Sequence, residues 1–325
     1  MKALITAVVI VALAVGGWAV WRSGNCASGL CRTSVDNYDD KMAAFGKTDP
    51  KLLMYREGDK IPTGLKTPRG IALDKAGRIY VVGDYAIRVF LGSGKHILDI
   101  RTAAEPHCIA VSDDGTIYAG MRDHVEVFDR TGVRTAVWDS AGKKAYLTSI
   151  AVTPSDVWVA DASDRIVLRY SRGGQVTATF AAKDQAKNAP GLVVPSPYVD
   201  LMPAANGAIW VSDPGRHQLE LYASDGRMVR SWGKESFAID GFSGCCNPTN
   251  FAVLADGRFV TSEKGLPRVK VYSPAGKFEG VVAGREAFTP ETAGLDIAAD
   301  ANGRILVLDP DARSVRVFLP KGRAQ

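Results

Sequence analysis

Residues 67–100 read TPRGIALDKAGRIYVVGDYAIRVFLGSGKHILDI. Within this stretch, short apolar runs are separated by turns that contain Asp or Gly, and the third run alternates apolar with polar residues. Apolar runs of this length bounded by such turns are typical of β-strands, and no 3.6-residue apolar period is sustained. The stretch therefore predicts consecutive strands joined by tight turns.

The same pattern recurs six times along the chain. The aligned apolar positions in the first strands of the units are Ile71, Ile109, Ile150, Leu201, Phe251 and Ile297. They are 38, 41, 51, 50 and 46 residues apart, a spacing typical of propeller blades with four strands. A helical solenoid is excluded because the helical period is missing, and a sandwich would not need six equivalent units. The sequence predicts an all-β, six-bladed β-propeller over residues 51–322.

The sixth unit is one strand short. It ends after its third strand, Val315–Leu319, and an unpaired fourth position would leave an open sheet edge. The only spare strand-like residues before the first unit are Leu52–Tyr55. We expect this N-terminal segment to supply the outer strand of blade six and so close the ring.

Three units carry a resemblance to a known family. They are GIALDKAGRIYVV at residues 70–82, FAVLADGRFVTSE at 251–263 and IAADANGRILVLD at 297–309, and they resemble the repeats of NHL-type propellers. The resemblance extends over residues 51–322 and implies the same six-bladed ring. Propellers of this type serve as binding platforms, scaffolds and several unrelated enzymes, so the resemblance implies no single function.

The N-terminal segment has the composition of a membrane signal. Residues 3–21 form an uncharged run of 19 residues flanked by basic side chains. At about 1.5 Å per residue, a helix of this length nearly spans a ~30 Å hydrocarbon core. The run favours a single transmembrane anchor over residues 1–22, and a cleaved secretory signal ending near 14–16 is the alternative. Both place the remainder on the extracytoplasmic, periplasmic side, joined through a flexible, polar tether at residues 23–50.

Composition and charge exclude several classes of protein. The chain has 46% apolar and 23% charged residues, which excludes global disorder and a polytopic membrane fold. Its 40 basic and 35 acidic residues give a net charge of +5 spread over the whole length. Nucleic-acid binding requires a basic stripe, which is missing, so no nucleic-acid partner is expected.

The channel mouth is the expected binding face. In a propeller ring, the loops leading into the first strands and those between second and third strands lie on one face, and long loops on a rigid scaffold carry most binding residues. The longest insertions, 182–196, 233–247 and 284–294, all lead into first strands. The candidate residues for a small ligand, or for a protein partner in a membrane assembly, are Arg69, His107, Tyr198, Asn250, Glu263 and Lys264.

Acidic residues recur at the end of the second strands. Asp161, Asp213, Glu263 and Asp309 share one repeat position, and Arg165, Arg268 and Arg313 follow four or five residues after three of them. Carboxylates at strand ends accept local backbone hydrogen bonds and pair with nearby arginines. Because the position repeats from blade to blade, these acids are expected to cap turns.

Two adjacent cysteines mark the most unusual loop, GFSGCCNPTN at residues 241–250. Outside the cytoplasm, Cys245 and Cys246 are candidates for a disulfide that stiffens the loop. The alternative is a metal or thiol-redox (electron-relay) site in which Cys108 and His107 join the pair, a donor set that suits Cu(I) or Zn. No other cofactor is predicted.

The tether contains the other two cysteines, Cys26 and Cys31, which are candidates for a local disulfide. Catalytic motifs are weaker: no Ser-His-Asp order, phosphate-binding loop or paired-carboxylate motif stands out. Asn250, Asp200 and Asp296 are groups of the kind that lactonase-like propellers place around a hard cation, but the accompanying motifs are missing. A membrane-tethered binding or scaffold module is therefore favoured over an enzyme, and a propeller hydrolase or lyase is the second alternative.

Overall fold

The structure is a computed structural model that describes residues 47–322. The expected anchor at residues 1–22, most of the expected tether, and Cys26 and Cys31 lie outside these residues. Within residues 47–322, no helix is both long enough and apolar enough to cross a membrane.

The described residues form six antiparallel sheets of four strands each. Blade one contains β2 (Pro68–Leu73), β3 (Ile79–Gly83), β4 (Ala86–Phe90) and β5 (His96–Arg101). Blade two contains β6 (Cys108–Val111), β7 (Ile117–Gly120), β8 (Val125–Phe128) and β9 (Arg134–Val137). Blade three contains β10 (Leu147–Val152), β11 (Asp156–Asp161), β12 (Ile166–Ser171) and β13 (Val176–Phe180).

The second half of the ring repeats this order. Blade four contains β14 (Leu201–Pro203), β15 (Ile209–Asp213), β16 (Gln218–Tyr222) and β17 (Met228–Trp232). Blade five contains β18 (Phe251–Val253), β19 (Phe259–Ser262), β20 (Val269–Tyr272) and β21 (Phe278–Ala283). Blade six contains β22 (Asp296–Ala299), β23 (Ile305–Asp309), β24 (Ser314–Pro320) and β1 (Tyr55–Pro62).

Apolar contacts between neighbouring blades close the ring. The first strand of each blade contacts the first strand of the next, and β22 contacts β2. Six buried apolar clusters lie one at each interface between blades. The cluster between blades four and five is the most aromatic and includes Trp210, Trp232, Phe251, Phe259 and Tyr272. The short continuous apolar runs of the second strands produce this arrangement, because a strand that is buried at every position gives both faces of a blade an apolar surface to bury.

Blade six takes its outer strand from the N-terminal side of the chain. Strand β1 pairs antiparallel with β24, from Tyr55 opposite Pro320 to Pro62 opposite Ser314. The expected position, Leu52–Tyr55, is wrong by several residues: Leu52 ends a 3₁₀ turn, and Leu53 forms a parallel bridge to Val281 of blade five. The pairing partner decides the position, because β24 offers seven residues of open edge and β1 covers them.

Candidate functional site

A cavity of about 530 Å³ lies at the channel mouth and is lined from all six blades. The loops leading into the first strands of blades one to five supply Lys66–Arg69, His107, Tyr146–Thr148, Pro197–Val199 and Asn250. Blade six supplies Ala293, Gly294 and the loop residues Pro310, Asp311 and Arg313. Cavities of this size that collect side chains from several loops are typical of small-ligand sites.

The mouth cavity opens into the central channel. A second cavity of about 270 Å³ shares Arg69, Thr148 and Asn250 with the first and is lined by the first strands. The residue that precedes the aligned apolar position is, in blade order, Gly70, Cys108, Ser149, Asp200, Asn250 and Asp296, and all of these except Gly70 line the second cavity. We call these six residues the channel collar.

Two carboxyl groups join the collar to neighbouring blades. Asp200 of blade four accepts hydrogen bonds from the Ser149 hydroxyl of blade three (2.6 Å) and the Phe251 N–H of blade five (2.8 Å). Asp296 of blade six accepts from the Asn250 amide of blade five (3.0 Å) and from the N–H of Ile71 in blade one (2.8 Å). Each carboxyl therefore links three blades.

Their surroundings make both acids weaker. Burial raises the pKa of Asp200 to about 6. Burial and the neighbouring Asp200 charge raise the pKa of Asp296 to about 7. Because two like charges in one channel oppose each other's ionisation, the pair retains a proton close to neutral pH. The collar is therefore less negative than its two carboxyl groups suggest.

The mouth cavity carries an excess of positive charge. Lys66, Arg69 and Arg313 line it, and Asp311 is its only acidic side chain. The Asp311 carboxylate already accepts hydrogen bonds from the hydroxyls of Thr289 and Thr292, both at 2.8 Å. Arg69 uses its Nε to bind Glu105 at 3.0 Å, and its two terminal nitrogens have no partner among the described residues.

Aromatic rings form two walls of the cavity. The His107 ring lies 4.9 Å from that of Tyr146, and Tyr198 lies on the blade-four side with the ammonium of Lys264 4.9 Å from its ring centre. Burial, and then the charge of Arg69, lower the pKa of His107, so its imidazole is neutral at pH 7. Its Nδ1 is buried without a hydrogen-bond partner among the described residues, which leaves one polar atom beside the cavity unsatisfied.

The structure brings together four of the six binding residues expected from the sequence. Arg69, His107, Tyr198 and Asn250 all line the mouth cavity. Lys264 lies behind Tyr198 and donates from its Nζ to the Ser196 hydroxyl at 2.9 Å.

Glu263 lies elsewhere. It is 1% exposed and accepts hydrogen bonds from Arg268 Nε (2.7 Å) and from the Ser243 N–H (2.9 Å). The Lys270 ammonium lies 3.1 Å from the same carboxylate. Glu263 therefore braces the cysteine loop from below and does not reach the mouth, because an acid at this strand end bonds to the loop above it.

Other cavity residues were not singled out as binding residues from the sequence. Lys66, Tyr146 and Asp311 lie in loops that differ between the units, and Arg313, expected to pair with a strand-end acid, lines the cavity instead. The residues of the channel collar could have been found from the sequence, because they share one repeat position directly before the aligned apolar residues.

The repeated strand-end acids do bind backbone groups, but their arginine partners differ from the expected ones. Asp161 accepts from the N–H of Tyr146 (3.0 Å), and Asp213 accepts from the N–H of Arg216 (3.0 Å). The expected pair with Arg268 forms at Glu263. Asp309 pairs with Arg316 at 3.2 Å, because Arg313 adopts a left-handed backbone conformation in the preceding turn (φ 50°).

The cysteines expected to combine lie in two different places. Cys245 and Cys246 are free thiols with their Sγ atoms 3.0 Å apart, and Cys108 is a buried free thiol in the channel collar. Burial raises the pKa of Cys108 well above its usual range. Within the described part of the chain, no three His, Cys, Asp or Glu side chains are grouped as a metal site. The Cu or Zn alternative stays a prediction.

Comparison with known proteins shows the fold. No protein-family model and no curated protein matches the chain. Among solved structures, virginiamycin B lyase from Staphylococcus aureus is 14% identical with a TM-score of 0.54, covering 82% of this chain and 89% of that one. A protein of unknown function from Bacteroides thetaiotaomicron is 16% identical with a TM-score of 0.58, covering 82% and 72%. The WD40 propeller of Doa1 is 13% identical with a TM-score of 0.56, covering 82% and 98%.

These likenesses and the six sheets confirm the prediction of an all-β, six-bladed propeller. At identities of 16% and below they show the fold alone. The solved structures named here include a lyase and a WD40 domain, so the NHL resemblance stays a prediction. The same holds for the anchor at residues 1–22.

Proposed function

We propose that this protein is a binding module whose mouth cavity takes a small anionic organic group, either on a free ligand or on a side chain or C-terminus of a protein partner. The propeller is held on the extracytoplasmic side of a membrane through residues 3–21. One observation carries the proposal: the described residues that line the cavity of about 530 Å³ come from all six blades and include three cations and one acid, Asp311, whose Oδ2 already accepts two hydroxyl hydrogen bonds.

The charges supply the attraction. Among the described residues, no acidic side chain pairs with Lys66 or Arg313. Glu105 binds the Nε of Arg69 and leaves the two terminal nitrogens of that guanidinium without an acidic partner. An unpaired guanidinium matches a carboxylate or phosphate with two parallel hydrogen bonds. The partly protonated collar beneath the cavity adds little repulsion against an anion near neutral pH.

The aromatic walls favour a ligand with a flat or apolar body. Tyr146, His107 and Tyr198 present ring surfaces to the cavity. A ring that lies between them is desolvated on both faces, while its charged end reaches the cations at the rim.

The test compares a matched pair of ligands. Isothermal titration calorimetry measures the binding of benzoate and of neutral benzamide, which have the same ring and differ in charge, and phenyl phosphate is added as a second anion. We expect the anions to bind and benzamide to bind at least tenfold more weakly.

Arg69→Ala should weaken benzoate binding by about tenfold to a hundredfold, the usual value of a charge-assisted hydrogen bond. Arg227→Ala is the control, because Arg227 also pairs with a nearby carboxylate, Asp225, but lies in the turn between β16 and β17 on the opposite face. Equal binding of benzoate and benzamide, or no change in Arg69→Ala, would contradict the proposal.

A propeller hydrolase or lyase is the second candidate. The carboxyl pair of Asp200 and Asp296, with pKa values raised to about 6 and about 7, supplies a group able to exchange a proton at neutral pH beneath the cavity. Turnover in a panel of esters, lactones and peptide amides, lost in Asp296→Asn, would favour this candidate over a binding module.

A further inference from the structure

The two adjacent thiols are unequal in their access to solvent. Cys245 is exposed, and Cys246 is 2% exposed, yet their Sγ atoms are only 3.0 Å apart. An incoming molecule can therefore reach the sulfur of Cys245 but not that of Cys246. The sulfur of Cys245 is therefore close to the second sulfur, and the two must approach by about 1 Å to reach the ~2.05 Å of a disulfide.

Polar groups surround the buried thiol. Burial and the hydrogen bond with Cys245 raise the pKa of Cys246, and the Ser196 hydroxyl and the Lys264 ammonium act in the opposite direction. Lys264 Nζ and Ser196 Oγ are themselves 2.9 Å apart, so a hydroxyl and a cation stand beside this sulfur. These two groups favour the Cys246 thiolate and act against the burial that raises the pKa of this thiol.

The loop that carries the thiols is braced on both sides. The Ser243 N–H donates to the buried Glu263 carboxylate at 2.9 Å. The Asn247 side chain accepts from the Lys264 N–H (2.8 Å) and donates to the Lys264 carbonyl (2.9 Å). Beneath it, Phe242 is fully buried against Trp232. The thiols therefore stand on a fixed support.

We propose that Cys245 and Cys246 form a thiol–disulfide exchange site, in which Cys245 attacks a substrate disulfide and Cys246 resolves the product. The Cys245 thiolate bonds to one sulfur of RS–SR, and RS⁻ leaves and is protonated. The Cys246 thiolate then attacks Cys245 Sγ of the mixed disulfide, and the second RSH leaves. In sum, two thiols are oxidised to one disulfide while RS–SR is reduced to two RSH. The proposal does not depend on ligand binding at the mouth.

The site also has an internal reference. Cys108 belongs to the same chain, but it is buried in the collar, and burial together with Asp296 and Asp200 raises its pKa. Thiolate, not thiol, attacks disulfides, so Cys108 should remain unreacted in the folded protein. In the experiment below, peptide mapping distinguishes the reactions of Cys26 and Cys31 from those of Cys245 and Cys246.

The experiment treats the reduced full-length chain with oxidised glutathione, and in a second arm with a peptide containing one intramolecular disulfide. The reaction is stopped with acid, and free thiols are alkylated before mass mapping. We expect the wild type to form the 245–246 disulfide and to return to the dithiol with excess reduced glutathione. Cys246→Ser should keep a stable glutathione adduct on Cys245, and Cys245→Ser should react at least tenfold more slowly. The second arm shows whether peptide disulfides are also substrates.

Several results would overturn the proposal. The proposal fails if Cys245 reacts with oxidised glutathione no faster than Cys108 does in the folded protein. It also fails if Cys245→Ser and Cys246→Ser form the glutathione adduct equally. A 245–246 disulfide that resists thiol reduction would show a static brace. A metal that co-purifies and protects both thiols would show a metal site. Circular dichroism and melting of both variants establish that each is folded, so a failed reaction cannot be attributed to unfolding.

Discussion

Glu263 allows a quantitative test of how the cysteine loop is held. Its carboxylate is the shared partner of two buried cations, Arg268 (2.7 Å and 3.0 Å) and Lys270 (3.1 Å), and all three side chains are at most 2% exposed. Glu263→Gln keeps the shape of the side chain but removes the negative charge. It leaves two buried cations without a counter-charge, and its NH₂ group meets N–H donors.

Removing one partner of a buried ion pair costs about 3–5 kcal/mol. We expect Glu263→Gln to lower the free energy of unfolding by this amount, which is a large part of the ~5–15 kcal/mol of a typical domain. Lys270 limits the loss, because burial already lowers its pKa to about 8 and Glu263 is the main contact that opposes this shift. In the variant the pKa of Lys270 falls further, and the lysine becomes neutral at a lower pH.

The pH dependence follows from the sign of this shift. A lysine whose folded pKa is below its unfolded value binds fewer protons in the folded state, so the free energy of unfolding rises with pH between the two values. For the wild type this window runs from about 8 to the ordinary value of 10.5. In Glu263→Gln the window starts below pH 8, so the stability deficit relative to the wild type should narrow as the pH rises toward 8 and then stay constant.

Urea unfolding followed by tryptophan fluorescence at three pH values across this range measures the deficit. The control is Glu220→Gln, because Glu220 is equally buried, but burial raises its pKa to about 7 and its nearest cation, Arg216, is 3.9 Å away. The glutamine oxygen can still accept the Tyr222 hydroxyl, so we expect a loss of about 1 kcal/mol or less. A deficit below 1 kcal/mol for Glu263→Gln, or one that does not change with pH, would refute the reasoning.

Three further predictions concern the channel. Asp200→Asn should lower the pKa of Asp296 from about 7, because the Asp200 charge is the second cause of its elevation, and carbon-13 NMR of the carboxyl group measures the shift. In the wild type, the folded state binds more protons on Asp200 and Asp296 than the unfolded state does, so their contribution to the free energy of unfolding declines as pH rises from about 4 to about 7. A contribution that does not change with pH in this range would contradict the raised pKa values. Gly120→Ala should destabilise the protein by about 1–3 kcal/mol, because the new Cβ would lie 2.5 Å from Cys108 Sγ. Adding Cys108→Ala should recover part of that loss in thermal melts, and additive losses would show that the contact is not the cause.

The sequence by itself determined the number of blades and the position of most strands. The aligned residues from Ile71 to Ile297 all fall in the first strands of their blades, because burial on both faces of each sheet imposes a period that is visible without coordinates. It also indicated that an N-terminal segment must close blade six. It could not place that segment, because the register of β1 depends on the open edge of β24, which is more than 250 residues away along the chain.

The tertiary structure alone decided which polar residues share a site. Glu263 and Arg69 were both expected at the channel mouth, yet one is buried under the cysteine loop and the other lines the cavity. Lys66 and Arg313 joined the mouth only through the closure of the ring, since they lie in blades one and six. Repeats encode local backbone geometry, which a linear pattern records. The contacts across a closed ring depend on loop paths and on the residue each side chain meets, and those exist only once the six blades are assembled.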